Sequence, residues 1–200
     1  MILWALIFVL ILGYFYKRDS PVLDNVQLTT SQKDSMSTYT YSWVYLWIDE
    51  LEIKFPQVVF AQVLHETKYL SSLIFLENNN LLGMKCSNSR PYCTGINRGH
   101  AMYSHPVNSL LDYKDWQATR LRDYESYYKI KVNTEEDYIF FLQNLILFTI
   151  DKKTGRKRPF KASYAEDKTY PKRIREYLRL LRQLSVIPQD THTGLKLVRE

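Results

Sequence analysis

The chain has 200 residues, 46% of them hydrophobic and 24% charged, with only 6 Gly and 7 Pro. That is enough for one ordinary domain with appendages, too little for two comfortable cores, and it excludes a collagen-like or low-complexity chain. The net charge of +6 is concentrated in residues 152–158 and 172–182; it suits an anionic polymer as partner but does not choose among nucleic acid, anionic lipid and cell wall.

Residues 1–16 form an unbroken apolar and aromatic run closed by Lys17 and Arg18. As a helix this run spans about 24 Å, short of the roughly 30 Å hydrocarbon core. No basic residue precedes it and no small-x-small cleavage site follows. Residues 1–18 therefore read as a short membrane anchor ahead of a signal peptide or a buried plug. Lys17 and Arg18 would place the rest of the chain in the cytoplasm by the positive-inside rule, which is at odds with any extracellular role. Residues 19–40 are polar, rich in Ser and Thr and without hydrophobic period, as expected of a linker.

Residues 41–184 carry the periodic patterns of a domain. Trp43, Val44, Trp47, Ile48 and Leu51 recur at helical spacing. Pro56 suits the first turn of a second helix, whose inner stripe is Val59, Phe60, Val63, Leu64 and Thr67. On that helix Gln62 and Glu66 lie one turn apart on one edge, so their side chains can meet. Between Met84 and Ser104 the period is lost and Gly95, Asn97 and Gly99 punctuate short extended pieces, which predicts an irregular β-hairpin flap. Cys86 and Cys93 lie inside that stretch, either as a disulfide or as a free pair. No second Cys pair or spaced His pair accompanies them, so no metal site and no cofactor is expected.

Ser104 or His105 caps a third predicted helix, with Pro106 in its first turn, running through Leu110, Tyr113 and Trp116 to about Asp123. Thr134, followed by Glu135, Glu136 and Asp137, opens a fourth, with Tyr138, Phe141, Leu142, Leu145 and Ile146 on its buried face. Residues 152–159 read as a basic turn. Pro171 opens a last helix on Ile174, Tyr177, Leu178 and Leu181, and residues 185–200 as a loose tail. The expected fold is α+β and mostly α: about five helices with a small flap.

Four blocks in this order resemble the glucosaminidase family of peptidoglycan hydrolases, similar to flagellar muramidases and especially to the small forms of Bacteroidetes and phages. They are Phe55-Pro56-Gln57-Val58-Val59-Phe60-Ala61-Gln62-Val63-Leu64-His65-Glu66-Thr67, then Glu77-Asn78-Asn79-Asn80-Leu81-Leu82-Gly83-Met84-Lys85. Gly99-His100-Ala101-Met102-Tyr103 follows, leading to Ser109, Asp112, Tyr113, Trp116 and Gln117, and last comes Tyr164-Ala165-Glu166-Asp167 with Tyr170. The resemblance implies a lysozyme-like fold and cleavage of the peptidoglycan glycan strand after N-acetylglucosamine. It matches Glu66 to the family's general acid and Tyr164 to a tyrosine of the active-site groove. It makes Asn80, Gly83 and Lys85 part of the element that shapes the cleft, while Asp167 and Tyr170 order the last block. Gln62 and Asn80 are the residues expected to orient Glu66 or the glycan, with His100 and Tyr170 as further contacts; His65 is expected to be scaffold.

A carboxyl acts as an acid near neutral pH only in an apolar, partly dry site, and Glu66, flanked by Val63 and faced by Leu81 and Leu82, suits that demand. Glycoside hydrolysis also needs a second group to trap or stabilise the oxocarbenium-like centre. Many family members carry an acidic residue in the flap, yet from Lys85 to Leu111 this chain has no Asp or Glu. Asp112, the first acid after that gap, falls within a helix and reads as structural. Three outcomes follow: the substrate's own acetamido group serves as nucleophile, a single acid performs lytic transglycosylase chemistry, or the protein binds glycan without cutting it. The layout suits a phage endolysin, a virion-associated lysin or a bacterial autolysin, facing the wall through its membrane segment or a virion. The rival from another class is a noncatalytic glycan-binding or structural protein of a virion or membrane; no nucleic-acid recognition motif is present.

Overall fold

A computed structural model describes residues 41–183; the predicted anchor, linker and tail lie outside the described residues. Helix α1 (Tyr41–Glu50) buries Val44 and Ile48, four residues apart on one face. Trp43 and Trp47 pack edge-on beside them at 6.1 Å. Phe55 then adopts a left-handed conformation (φ 57°) directly before Pro56, whose ring disfavours the right-handed helical region for its predecessor. The Phe55 ring stacks on Tyr138 at 4.6 Å, and this contact sets where α2 (Pro56–Glu66) begins.

Helix α2 is buried from Val58 through Leu64 without interruption, the pattern of a helix surrounded by others. It packs against α1, α5 and α6. Its end is firmly shaped. The Thr67 hydroxyl donates to Val63 O at 2.6 Å and accepts from Leu70 N at 2.8 Å, and Lys68, Tyr69 and Leu70 all take positive φ. Three left-handed non-glycine residues in a row are costly. Their backbone is held by Ser71 N and Ser72 N, which both donate to Thr67 O.

Ser72 then caps a short helix that the periodicity analysis does not anticipate, α3 (Leu73–Asn78), by accepting from Phe75 N. The three asparagines that follow the apolar residues of α3 act as staples, because a short amide reaches backbone groups of a neighbouring strand. Asn78 Nδ2 donates to Asn97 O, Asn79 Nδ2 to Tyr103 O, and Asn80 Nδ2 to both Met84 O and Ala101 O. The strand pair they hold is the predicted flap: β1 (Gly95–Asn97) and β2 (His100–Met102), antiparallel, with Asn97 opposite His100. Arg98 and Gly99 both have positive φ, as a two-residue hairpin turn of the primed type requires. Cys86 and Cys93 form a disulfide in the loop leading to β1.

Helix α4 (Pro106–Tyr128) is capped by His105, whose Nδ1 accepts from Val107 N, and extends beyond the predicted end at Asp123. Its inner face includes Leu110, Tyr113, Leu121 and Tyr124, together with the polar Ser109, Asp112 and Gln117. Asp112 is 1% exposed, pairs with Arg90 of the disulfide loop and accepts the Tyr103 hydroxyl at 2.5 Å. It is structural, as its helical position predicts. Helix α5 (Glu135–Gln143) starts with a capping box between Thr134 and Asp137.

The sequence reading carries the fourth helix through Leu145 and Ile146; the structure ends it at Gln143. Residues 145–150 form β3 (Leu145–Ile150), paired antiparallel with β4 (Lys157–Ala162). The supposed basic turn is therefore the tip and return strand of a second hairpin. Short apolar runs are ambiguous between helix and strand. Here the β-branched and aromatic content of Leu145-Ile146-Leu147-Phe148-Thr149-Ile150 prevails, with Asp151 Oδ1 closing the turn on Lys153 N and Thr154 N. Helix α6 (Tyr170–Gln183) buries Tyr170, Ile174, Leu178 and Leu181 against α2 and α5. The architecture is α+β and mostly helical, with six described helices and two small hairpins. No described helix is long and apolar enough to cross a membrane.

Removing one partner of a buried ion pair strands the other. Asp112→Ala is therefore expected to lower the unfolding free energy by about 3 kcal/mol, read from urea denaturation. A loss within the range of an ordinary surface substitution would mean that Asp112 does not hold the flap to α4.

Candidate functional site

Glu66 occupies the last turn of α2, where the helix macrodipole disfavours negative charge. Its carboxyl faces Gly83: a Cβ there would sit 3.5 Å from Glu66 Oε2. Gly83 has φ +62°, so glycine supplies both the turn and the space for the acid. Burial pushes the Glu66 carboxyl up to about 7, partly offset by a hydrogen bond from Tyr170. Among the described residues, no other carboxylate contributes to that value.

The loop beneath the acid is fixed from two directions. Asn80, 1% exposed, uses its whole amide on backbone: Nδ2 as above, and Oδ1 accepting from Leu82 N and Met84 N. Tyr164 donates its hydroxyl to Leu82 O at 2.6 Å, and its own backbone is tied to Leu142 O. The Tyr164 ring lies edge-on to Trp116 at 5.3 Å and tilted against Tyr170 at 5.7 Å. Burial pushes the Tyr164 phenol well above its ordinary range, with the Glu66 carboxyl adding to the effect. Acid and phenol thus share one site.

The residues singled out as glycan contacts divide into two groups. Gln62, Asn80 and Tyr170 are each no more than 1% exposed, so their hydrogen bonds act inside the protein and do not meet a glycan. Gln62 and Glu66, placed to meet by their spacing, are linked instead through Tyr170: Gln62 Nε2 donates to the Tyr170 hydroxyl at 2.9 Å, and that hydroxyl acts on Glu66. Lys85 and His100 belong to the flap side. Lys85 Nζ donates to Gly99 O at 2.8 Å. His100 is partly exposed as a residue, yet both ring nitrogens are buried and without a hydrogen-bond partner. Burial, then the Lys85 charge, lowers its pKa. His65 packs edge-on against Tyr170 at 5.3 Å and Tyr177 at 5.8 Å, the scaffold position expected for it.

Periodicity gave no reason to place Tyr113, Tyr138 and Gln117 in the site's support. Tyr113 donates to Gln62 Oε1 at 2.7 Å and lies 2.6 Å from the Tyr138 hydroxyl, to which Gln117 Nε2 donates at 2.8 Å. The available signal was Gln117 on the apolar stripe of α4, one turn after Tyr113: a buried amide must find partners. A separate cleft of about 640 Å³ lies between the α1–α2 loop and the C-terminal half of α4, with Lys54, Lys114, Arg122, Lys131, Glu52 and Glu125 among its lining. It holds neither Glu66 nor Tyr164. Among the described residues, no group of three or more His, Cys, Asp or Glu side chains is placed to hold a metal.

Neither a protein-family model nor a curated protein matches the chain. Among solved structures, the catalytic domain of the autolysin Auto from Listeria monocytogenes is similar at 19% identity. The match covers 84% of this chain and 94% of that one, with a TM-score of 0.44.

The raised Glu66 value has a cost in stability. Between its ordinary value of 4.5 and about 7, the native state holds a proton that the unfolded chain has released, so stability falls as pH rises through that window. Glu66→Gln removes the loss. Near pH 8 the variant is expected to be more stable than the parent by about 3 kcal/mol, the difference vanishing below both pKa values. Thermal melts across that pH range check it; a variant less stable at high pH would contradict the assignment of a buried, raised carboxyl.

Proposed function

We propose that the protein hydrolyses peptidoglycan glycan strands after N-acetylglucosamine, on a lysozyme-like scaffold, with Glu66 as general acid. One observation carries the reading: a carboxyl lifted to about 7 by burial, seated against a glycine-floored loop and braced by two tyrosines. An acid of that strength is protonated often enough near neutrality to donate to a leaving glycosidic oxygen, and ionised often enough afterwards to act as base.

With no carboxylate among the described residues acting on Glu66, the proposal turns to the substrate for the second group. Glu66 protonates the glycosidic oxygen as the bond to the anomeric carbon breaks. The carbonyl oxygen of the substrate's acetamido group attacks that carbon from the opposite face and forms a cyclic oxazolinium, the substrate-assisted exception to the two-carboxylate scheme. Water then opens the ring, giving its proton to the Glu66 carboxylate and restoring the acid, with retention at the anomeric centre. The Tyr164 oxygen, its proton engaged by Leu82 O, keeps lone pairs with which to accept the acetamido N–H and hold the carbonyl in line. Lys85 offers its ammonium to the strand from the flap side, and His100 the exposed part of its ring.

In this reading residues 1–16 tether the domain to a membrane or virion, and the basic residues of α6 and of the second hairpin favour anionic envelope polymers. A lysin or autolysin acting outside the cytoplasm follows. The acid-free stretch from Lys85 to Leu111 favours one rival: a noncatalytic glycan-binding protein built on the same scaffold.

Incubation of the full chain with purified peptidoglycan is expected to release reducing N-acetylglucosamine ends. Glu66→Gln should lower the rate by at least about 100-fold, and Tyr164→Phe by less. Product mass separates hydrolysis from transglycosylation, which leaves an anhydro-muramic end. Inactivity of both parent and variant favours the binding protein, whereas equal activity sinks the acid assignment. Activity should fall as pH rises through about 7, where Glu66 loses its proton; a rate that climbs through that region would contradict the role.

A further inference from the structure

The polar side chains buried between α2, α4, α5 and α6 form one unbroken series of hydrogen bonds, from the backbone of Lys54 to the hydroxyl of Tyr170, which acts on the carboxyl of Glu66. We infer that this series runs in one direction, set by the Lys54 backbone, and holds the Tyr170 hydroxyl as an obligate donor to Glu66. The inference deepens the proposed role of Glu66. It rests on that reading only for its effect on activity.

The direction follows from what each group can do. Gln117 engages both backbone groups of Lys54: Lys54 N donates to Oε1 at 3.0 Å, and Nε2 donates to Lys54 O at 2.9 Å. A backbone N–H can only donate and a carbonyl can only accept, so this amide cannot be turned around. Its second Nε2 hydrogen goes to the Tyr138 hydroxyl at 2.8 Å. Tyr138 cannot return its proton to an amide nitrogen and donates to the Tyr113 oxygen at 2.6 Å. Tyr113 then donates to Gln62 Oε1 at 2.7 Å, which leaves Gln62 Nε2 to donate to the Tyr170 oxygen at 2.9 Å. Tyr170, already accepting from Gln62, has its own proton free for Glu66.

Every linking side chain is buried: Gln62, Tyr113 and Tyr138 at 0%, Tyr170 at 1% and Gln117 at 2% exposed. Water does not replace a lost partner there, and an unmade bond costs more than a made one gains. Reversing one link therefore requires reversing all, against the Lys54 backbone. The result is a fixed donor on the ionised form of a carboxyl that burial otherwise drives toward neutrality. Gln62, Tyr113, Tyr138 and Gln117 are positioning residues, acting on Glu66 through Tyr170.

The other groups around the acid leave this role to Tyr170. Tyr164, from the segment before α6, has its proton on Leu82 O. His65, next to Glu66 on α2, faces Tyr170 and Tyr177, with Arg173 and Asp167 acting on it. On the flap, Lys85 is engaged by Gly99 O and His100 lies beside Lys85.

Carbon-13 NMR titration of the Glu66 carboxyl in the full chain tests the inference without requiring catalysis, with Glu66→Gln assigning the resonance. Tyr170→Phe and Gln62→Met are expected to raise the Glu66 pKa by about one pH unit, because the ionised form loses its donor. Tyr138→Phe and Gln117→Met should shift it in the same direction by less; Tyr113→Phe substitutes if either fails to fold. Purely structural residues would lower the melting temperature and leave the titration in place. Folded distal variants with an unmoved Glu66 titration overturn the inference. In the pH–rate profile the basic limb should move upward with the titration. Should Glu66→Gln retain full activity, the acid role fails while the titration still decides the direction of the series.

Discussion

Helix α2 is buried on every side through its central turns, and within that run Gln62 is the one polar side chain. An amide in such a place carries both donors and an acceptor, and leaving one unmade costs about 1–3 kcal/mol. Its requirement is met from two other helices at once: Tyr113 of α4 supplies the donor and Tyr170 of α6 the acceptor. Tyr138 of α5 and Gln117 of α4 are then needed to satisfy Tyr113 in turn. The apolar faces of these helices explain why they pack on α2; the polar series explains why they pack in one arrangement. A core of leucines and valines alone would tolerate small rotations of α6. The hydroxyl of Tyr170, held between Gln62 and Glu66, does not.

The second support is local and serves the loop opposite the acid. Asn78, Asn79 and Asn80 bind backbone on the flap and on the Met84 turn, so the hairpin and the loop are tied to each other. Asp112 extends this through Arg90 to the disulfide loop and through Tyr103 to the end of the hairpin. Glu66 therefore sits between two hydrogen-bonded assemblies, one organised around Gln62 and one around Asn80, with Gly83 providing the gap. Such a gap raises the affinity of a carboxyl for its proton while keeping the carboxyl reachable. The same burial destabilises the ionised protein, a common trade at sites where a group is held away from its preferred charge state.

Much of the scaffold is legible without coordinates. The stripe of α2, Pro56 in its first turn, the start of α4 at His105 and Pro106, and the helix start at Thr134 with its three acids are local signals with local causes, and each agrees with the structure. The flap is readable from the loss of period and the glycines around it. The boundary at Gln143 is not. Tyr138, Phe141, Leu142, Leu145 and Ile146 satisfy a helical period equally well, and only pairing with residues 157–162 decides for a strand. The short helix α3 escapes for a related reason: six residues are too few to display a period.

For the site, the sequence by itself determined that Glu66 follows an apolar stripe, that an asparagine-rich turn with Gly83 comes after it, and that no second acid occupies the flap. Those are facts of order and composition. Tertiary structure alone decided that Asn80 and Gln62 face inward rather than toward a ligand, that Tyr170 stands between Gln62 and Glu66, and that Tyr113, Tyr138 and Gln117 complete the series. The reason is physical: a buried hydrogen bond joins residues by distance and direction. Gln62 and Tyr170 are 108 positions apart, and no local pattern records which distant hydroxyl will satisfy a buried amide.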